Sequence, residues 1–239
     1  MFKCRMSIKV SLVVCFAILF TSCGPKMKTK GELFPLLYEE TPLSIIVLPP
    51  MNESTAADAK EYYSTTVQEP LSFTGYYVFP YEVTSEILKM EGIYDTELLT
   101  NIPLAKFREY FGADAVLFTT IKKWDLSYIV LASKLTVSVD CLLKSTHSDQ
   151  ILWAYNGTIV VDLSGGDAGG GVAGLIAKTI VTAINTAVAD YVPYARLANY
   201  RALSSMPFGK YHEQFNKDRE LKIIDQSPSS EKTAQTAQK

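Results

Sequence analysis

Ser44-Ile45-Ile46-Val47-Leu48 is apolar without interruption and stops at Pro49-Pro50. Such a run predicts a strand covered on both faces. Asn52-Glu53-Ser54-Thr55 reads as a turn offering a helix cap. Ala56 to Glu69 reads as a helix ended by Pro70, with Ala59, Tyr62, Tyr63, Thr66 and Val67 toward the core. Tyr76-Tyr77-Val78-Phe79 predicts a second buried strand, and Val83 to Met90 a short helix. Strand, helix, strand, helix implies a parallel pair joined by a crossover. Leu104 to Phe111 predicts another helix with Gly112 at its C′ position, and Ala115 to Trp124 a third strand.

The rhythm then changes. Leu135, Val137, Val139, Cys141 and Leu143 alternate with Lys134, Thr136, Ser138, Asp140 and Lys144, which predicts a strand with one wet face and Cys141 inward. Ser145 to Asp149 is a turn and Ile151 to Val161 a returning strand, so an antiparallel meander follows the crossover half. Asp162 to Gly174 holds six glycines and reads as a hinge. Leu175 to Tyr191 reads as a long apolar helix with Lys178, Thr182 and Asn185 on one narrow stripe, and Tyr194 to Leu203 as a further helix. The expected fold is a single α/β (mixed α+β) domain: a βαβ N-terminal half, an antiparallel meander, and C-terminal helices packed on the mixed sheet.

The N-terminus carries a different signal. Val10 to Phe20 is an apolar run of 11 residues behind Lys3, Arg5 and Lys9, closed by Thr21-Ser22-Cys23. A basic region, an apolar region and a small-residue site make a secretory signal. A spanning helix needs about 20 residues, so this run can insert but not anchor. The cysteine after the small residues fits a lipoprotein signal, cleaved before Cys23 once its thiol is lipidated. The plainer alternative is an ordinary signal peptide with a chance cysteine. Gly24 rather than Asp after Cys23 favours the outer membrane, on the leaflet facing the periplasm. The expected organisation is a signal over 1–22, a tether over 23–40 holding the domain off the bilayer, the α/β domain over 41–224, and a disordered Ser, Gln, Thr, Lys and Ala tail over 225–239.

Composition narrows the chemistry. From Cys23 onward the chain has 217 residues and a net charge near −5, with no basic stripe, so nucleic-acid binding has little electrostatic support. Only Cys141 remains as a thiol besides Cys23, and with two histidines it offers neither an internal disulfide nor a metal set. No cofactor is expected. The glycines before Leu175 lack P-loop spacing, and no Gly-x-Ser-x-Gly elbow is present. His147 falls in the predicted hairpin turn, where it would be solvated. His212 beside Tyr211 would need a converging nucleophile and carboxylate to act as a base. Asp114 is either a catalytic acid or, more simply, a cap on backbone amides where the strand starts. Trp124 and Trp153 read as core.

Cys23, the strand ending in Pro49-Pro50 with Asn52 and Ser54 after it, Gly112-Ala113-Asp114 with Trp124 at the far end of the strand, Ile151-Leu152-Trp153, and Pro207-Phe208-Gly209 with Tyr211-His212 together resemble a family of bacterial lipoproteins, domain of unknown function 799. The resemblance spans residues 23 to 220. It is also similar to a wider group holding the curli-secretion lipoprotein, the N-terminal domain of the Tol-system propeller protein, and lipoprotein activators of peptidoglycan synthases. It implies a non-enzymatic binding or assembly component of the envelope with a protein partner, in secretion beside a curli-secretion-like lipoprotein, and no catalytic residues. Two other readings stand beside it. One is a periplasmic hydrolase using His212. The other is a membrane-inserting subunit using Leu175 to Tyr191, although its narrow polar stripe, and the 11 uncharged residues between Lys178 and Asp190, too few to span, point instead to core or a homodimer interface.

Overall fold

The computed structural model describes residues 27–94, 96–127, 134–162 and 192–226. Cys23, the glycine-rich hinge, the helix expected over Leu175 to Tyr191, and the tail from 227 lie outside them.

The central sheet is mixed. Strands β2 (Ser44–Val47), β3 (Met51–Asn52), β4 (Tyr77–Val78), β5 (Ala115–Ser127), β6 (Lys134–Ser145) and β7 (Ile151–Asp162) take the order β4-β2-β5-β6-β7, with β3 also paired to β5. β2 runs parallel to both β4 and β5, and β5-β6-β7 is the antiparallel meander. Prolines 49 and 50 have no N–H to give the ladder. They interrupt the strand without ending its path: Leu48 N donates to Leu117 O (3.1 Å), and β3 resumes parallel pairing at Met51 opposite Thr120.

Burial follows the two rhythms. All four residues of β2 are buried, because helices cover both faces there. Helices α3 (Ala59–Phe73) and α7 (Val192–Leu203), with α2 (Pro35–Glu40), pack over Ile45, Val47, Leu117, Val139, Cys141 and Trp153. On the other face α4 (Tyr81–Met90), α5 (Thr96–Leu99) and α6 (Leu104–Phe111) cover Ile46, Leu48 and Val116. β6 alternates strictly, its odd-numbered residues buried, and Cys141 is 1% exposed.

Three sequence expectations are corrected. α3 runs through Pro70 to Phe73, since Pro70 and Leu71 are both buried and keep the last turn on the core. The second strand is a two-residue edge rather than a buried element, with Tyr77 half exposed, because among the described residues only β2 flanks it. The tether is the third. From Met27 the chain is already folded: β1 (Met27–Thr29) pairs antiparallel with β8 (Lys222–Ile224), and α1 (Lys30–Leu33) follows. Thr29 and Glu32 form a capping box on α1, Phe34 and Leu37 join the main core, and Tyr38 is buried.

Candidate functional site

Two side-chain clusters hold most of the residues singled out in the sequence. The first sits where β5 starts. Gly112 ends α6 with φ +71°, a left-handed conformation suited to glycine, and turns the chain into Ala113-Asp114. The Asp114 Oδ2 accepts from Leu43 N (2.9 Å), Ser44 N (3.1 Å) and Ser44 Oγ (3.1 Å). Its Oδ1 lies 3.3 Å from His147 Nε2, and Arg108 donates to His147 Nδ1 at 2.9 Å. An arginine can only donate, so Nδ1 is the acceptor and Nε2 carries the proton given to Asp114. Burial pushes the Asp114 carboxyl up, but the hydrogen bonds from Leu43, His147 and Ser44 outweigh it and hold the group below the usual range. Thr146 closes the loop, its N donating to Asp114 O and its Oγ1 to Ala113 O. Glu40 accepts from the hydroxyls of Ser145 and Ser148 in the same turn.

This is the geometry of a clamp. The acid–imidazole pair looks like part of a triad, yet both imidazole nitrogens are engaged and neither can take a proton from a nucleophile. The carboxylate instead ties the start of β2, the start of β5 and the β6–β7 turn.

The second cluster surrounds Asp218, which is 6% exposed. Its carboxylate accepts from Lys30 Nζ (3.2 Å), Tyr38 OH (2.9 Å) and Phe208 N (3.1 Å). Lys30, 1% exposed, also donates to Met206 O (2.8 Å) and stands 4.9 Å from the Phe208 ring centroid. Burial lowers the Lys30 pKa, with Asp218 pulling the other way. Burial first, then the bond to Asp218, raises the Tyr38 hydroxyl far above its ordinary value.

Phe208 stacks flat on His212, centroids 3.8 Å apart. His212 Nδ1 accepts from Gln214 N (3.0 Å), and no carboxylate accompanies the ring among the described residues. Tyr76 OH donates to Pro207 O, Gly209 N to Thr74 O, and Tyr211 N to Gly75 O. At Gly75, where φ is +89°, a Cβ would stand 2.5 Å from His212 Cβ. The backbones touch there, so Pro207 to His212 is a fixed strap over the end of α3, and His212 is one of its buttons.

The remaining residues stay apart. Asn52 Oδ1 accepts from Ser54 N and Oγ, and Asn52 Nδ2 donates to Ala56 O, a local turn ahead of α3. Trp124 is buried and stacks on Tyr62 with centroids 6.1 Å apart. Pro49 and Pro50 lie on the β2–β3 path, and Tyr211 is exposed. Sequence reasoning passed over Lys30 and Asp218, which sit 188 positions apart, and over Glu40. Among the described residues no group of three His, Cys, Asp or Glu side chains is placed to hold a metal ion, and no helix is long and apolar enough to cross a membrane.

The family described as "Putative lipoprotein GNA1162-like" matches residues 34–210. A putative lipoprotein of Neisseria meningitidis serogroup B, NMB1124/NMB1162, is 30% identical over 189 residues, covering 79% of this chain and 87% of that protein. The crystal structure of lipoprotein GNA1162 from Neisseria meningitidis is 32% identical and covers 60% of this chain and 98% of that one, with a TM-score of 0.47. The PelC dodecamer from Paraburkholderia phytofirmans is 12% identical over 68% of this chain and 87% of that one, with a TM-score of 0.39. With a family match that spans the Asp114 clamp and the start of the strap, and a relative 30% identical over most of its length, the chain belongs to the GNA1162-like lipoprotein family.

Proposed function

We propose that this lipoprotein is a non-catalytic binding or assembly component of the cell envelope. Residues 1–22 are removed, Cys23 carries the acyl chains, palmitate among them, and the domain faces the periplasm from the outer membrane. The observation that carries the reading is the family match over residues 34–210. It is supported by the two polar clusters, in which Asp114 with His147, and Asp218 with Lys30, tie segments of the fold together. The finer form is a protein partner in secretion, beside a curli-secretion-like lipoprotein, with Leu175 to Tyr191 as the contact for a second copy.

The described fold is already under way at Met27, four residues after Cys23. Four extended residues reach at most about 14 Å, so the β1–β8 ribbon rides against the headgroups. Met27 and Ile224 pair across that ribbon and are 52% and 47% exposed, an apolar pair suited to that position.

Density separation of membranes, followed by protease treatment of intact and permeabilised cells, tests the reading. The expected result is sedimentation with the outer membrane and protection until that membrane is breached. Sedimentation with the inner membrane, or digestion on intact cells, would refute the location.

A further inference from the structure

A cleft of about 390 Å³ opens between α3, α4 and α5, bounded by Pro49 just beyond the C-terminal end of β2. In open α/β sheets the crevice outside the carboxyl ends of parallel strands is where ligands sit. Neither polar cluster described above reaches it. Lys60 and Ser64, four residues apart on α3, share the face that lines it. Ser64 is 3% exposed, and its Oγ has no hydrogen-bond partner among the described residues. Lys60 is half-buried, pairs with no acid among the described residues, and holds only Thr96 Oγ1 at 3.4 Å. On the facing wall Lys89 already lies 3.6 Å from Glu86, and the one acid on the α3 side, Glu61, is exposed. Leu88 and Leu99 are buried and give the cleft an apolar floor.

A buried hydroxyl without a partner carries a desolvation cost, and beside it stands a half-buried ammonium that pairs with no acid among the described residues. A carboxylate suits the pair, since it can accept from the two donors at once. We infer that the cleft binds a small ligand with a carboxylate and a short apolar body. The carboxylate meets Lys60 Nζ and Ser64 Oγ, and the body lies on Leu88 and Leu99. The same chemistry is offered by a free organic acid and by the C-terminus of a peptide. The site goes beyond the envelope reading and does not depend on it, so failure of the test below leaves the location of the chain untouched.

The test is a probe-observed NMR titration of the mature lipidated chain, from Cys23 onward, in nanodiscs, with empty nanodiscs as the blank. Hexanoate, hexylamine and hexanol serve as probes of equal length. N-acetyl-Ala-Leu, as the free acid and as the amide, represents a chain terminus. Hexanoate should bind about tenfold or more tighter than the amine or the alcohol, the scale of a hydrogen bond to a charged group. Lys60→Met should abolish that preference and Ser64→Ala reduce it, both with unchanged circular dichroism, while Lys106→Met, away from the cleft, changes nothing. Tighter binding of the peptide acid than of hexanoate and of its own amide assigns the site to chain termini, and the reverse order assigns it to free acids. Equal binding of the three six-carbon probes overturns the proposal, as does a hexanoate preference that survives Lys60→Met.

Discussion

Replacing Asp218 with Asn removes the charge facing Lys30 while keeping a side chain of nearly the same shape. The asparagine can still accept from Tyr38 OH or Phe208 N, so the main loss is the counter-ion of a lysine that is 1% exposed. Removing one member of a buried pair costs about 3–5 kcal/mol, because the other charge is left uncompensated. The retained acceptor places this variant near the lower end, about 3 kcal/mol. In a domain of this size each kcal/mol moves the melting temperature by about 2–4 °C, so a fall of about 6–12 °C is expected. The pH dependence follows from Lys30. Burial already sets its folded pKa below the ordinary lysine value, and losing Asp218 lowers it further. The folded variant therefore sheds that proton at a lower pH than the unfolded chain does. Its deficit against the parent should narrow as pH rises from neutral toward about 10. Replacing both residues, Lys30→Met with Asp218→Asn, should recover most of the loss. Urea unfolding of the chain from Gly24 onward, followed by fluorescence of the buried Trp124 and Trp153, reads all three. A loss under about 1 kcal/mol, or a deficit that does not change with pH, would refute the reasoning.

Gly75→Ala should cost more than about 2 kcal/mol, because a left-handed backbone and contact with the His212 backbone act together; Gly112→Ala, with open space around its Cβ position, should cost about 1 kcal/mol, and equal midpoints for the two would contradict this. The Cys141 thiol is pushed up to about 12, chiefly by burial, so a bulky thiol reagent should label the native chain slowly and the denatured chain quickly. Asp114, with its lowered pKa, contributes stability that is fully present above about pH 4 and is lost as pH falls through its folded value. Asp114→Asn should therefore flatten the acid limb of the stability curve, and an unchanged limb would show that the clamp does not depend on charge.

The parts of the fold that were legible in the sequence are those set by local periodicity. The unbroken run Ser44 to Leu48 announced cover on both faces, and the alternation from Lys134 to Lys144 announced cover on one. Asp114 was legible as a cap, since a carboxylate two residues after Gly112, at the start of a strand, has backbone amides within reach. What escaped depends on distant residues meeting. Nothing near Lys30 marks it as buried, because its partner Asp218 comes from the other end of the domain. The polar stretch from Gly24 to Leu33 therefore read as linker, although Thr29-Lys30-Gly31-Glu32 carries a capping-box pattern that marks a helix start. Tyr77 read as buried from its neighbours, and only the strand order places it at the edge. The role of His212 was likewise hidden until Gly75 and Phe208 were brought against it.

The central proposal is that lipid on Cys23 holds the chain at a membrane. It is tested most directly by fractionating cells that make the parent or Cys23→Ser. One acyl chain gives only marginal binding, of about 10⁴ M⁻¹, whereas two or more hold a protein stably. The parent should pellet with membranes and stay there through a high-salt wash, with its mature mass raised by the acyl chains. Cys23→Ser should be released as a soluble, folded protein. A serine variant that still pellets after the wash would contradict the account and place the anchor elsewhere in the chain.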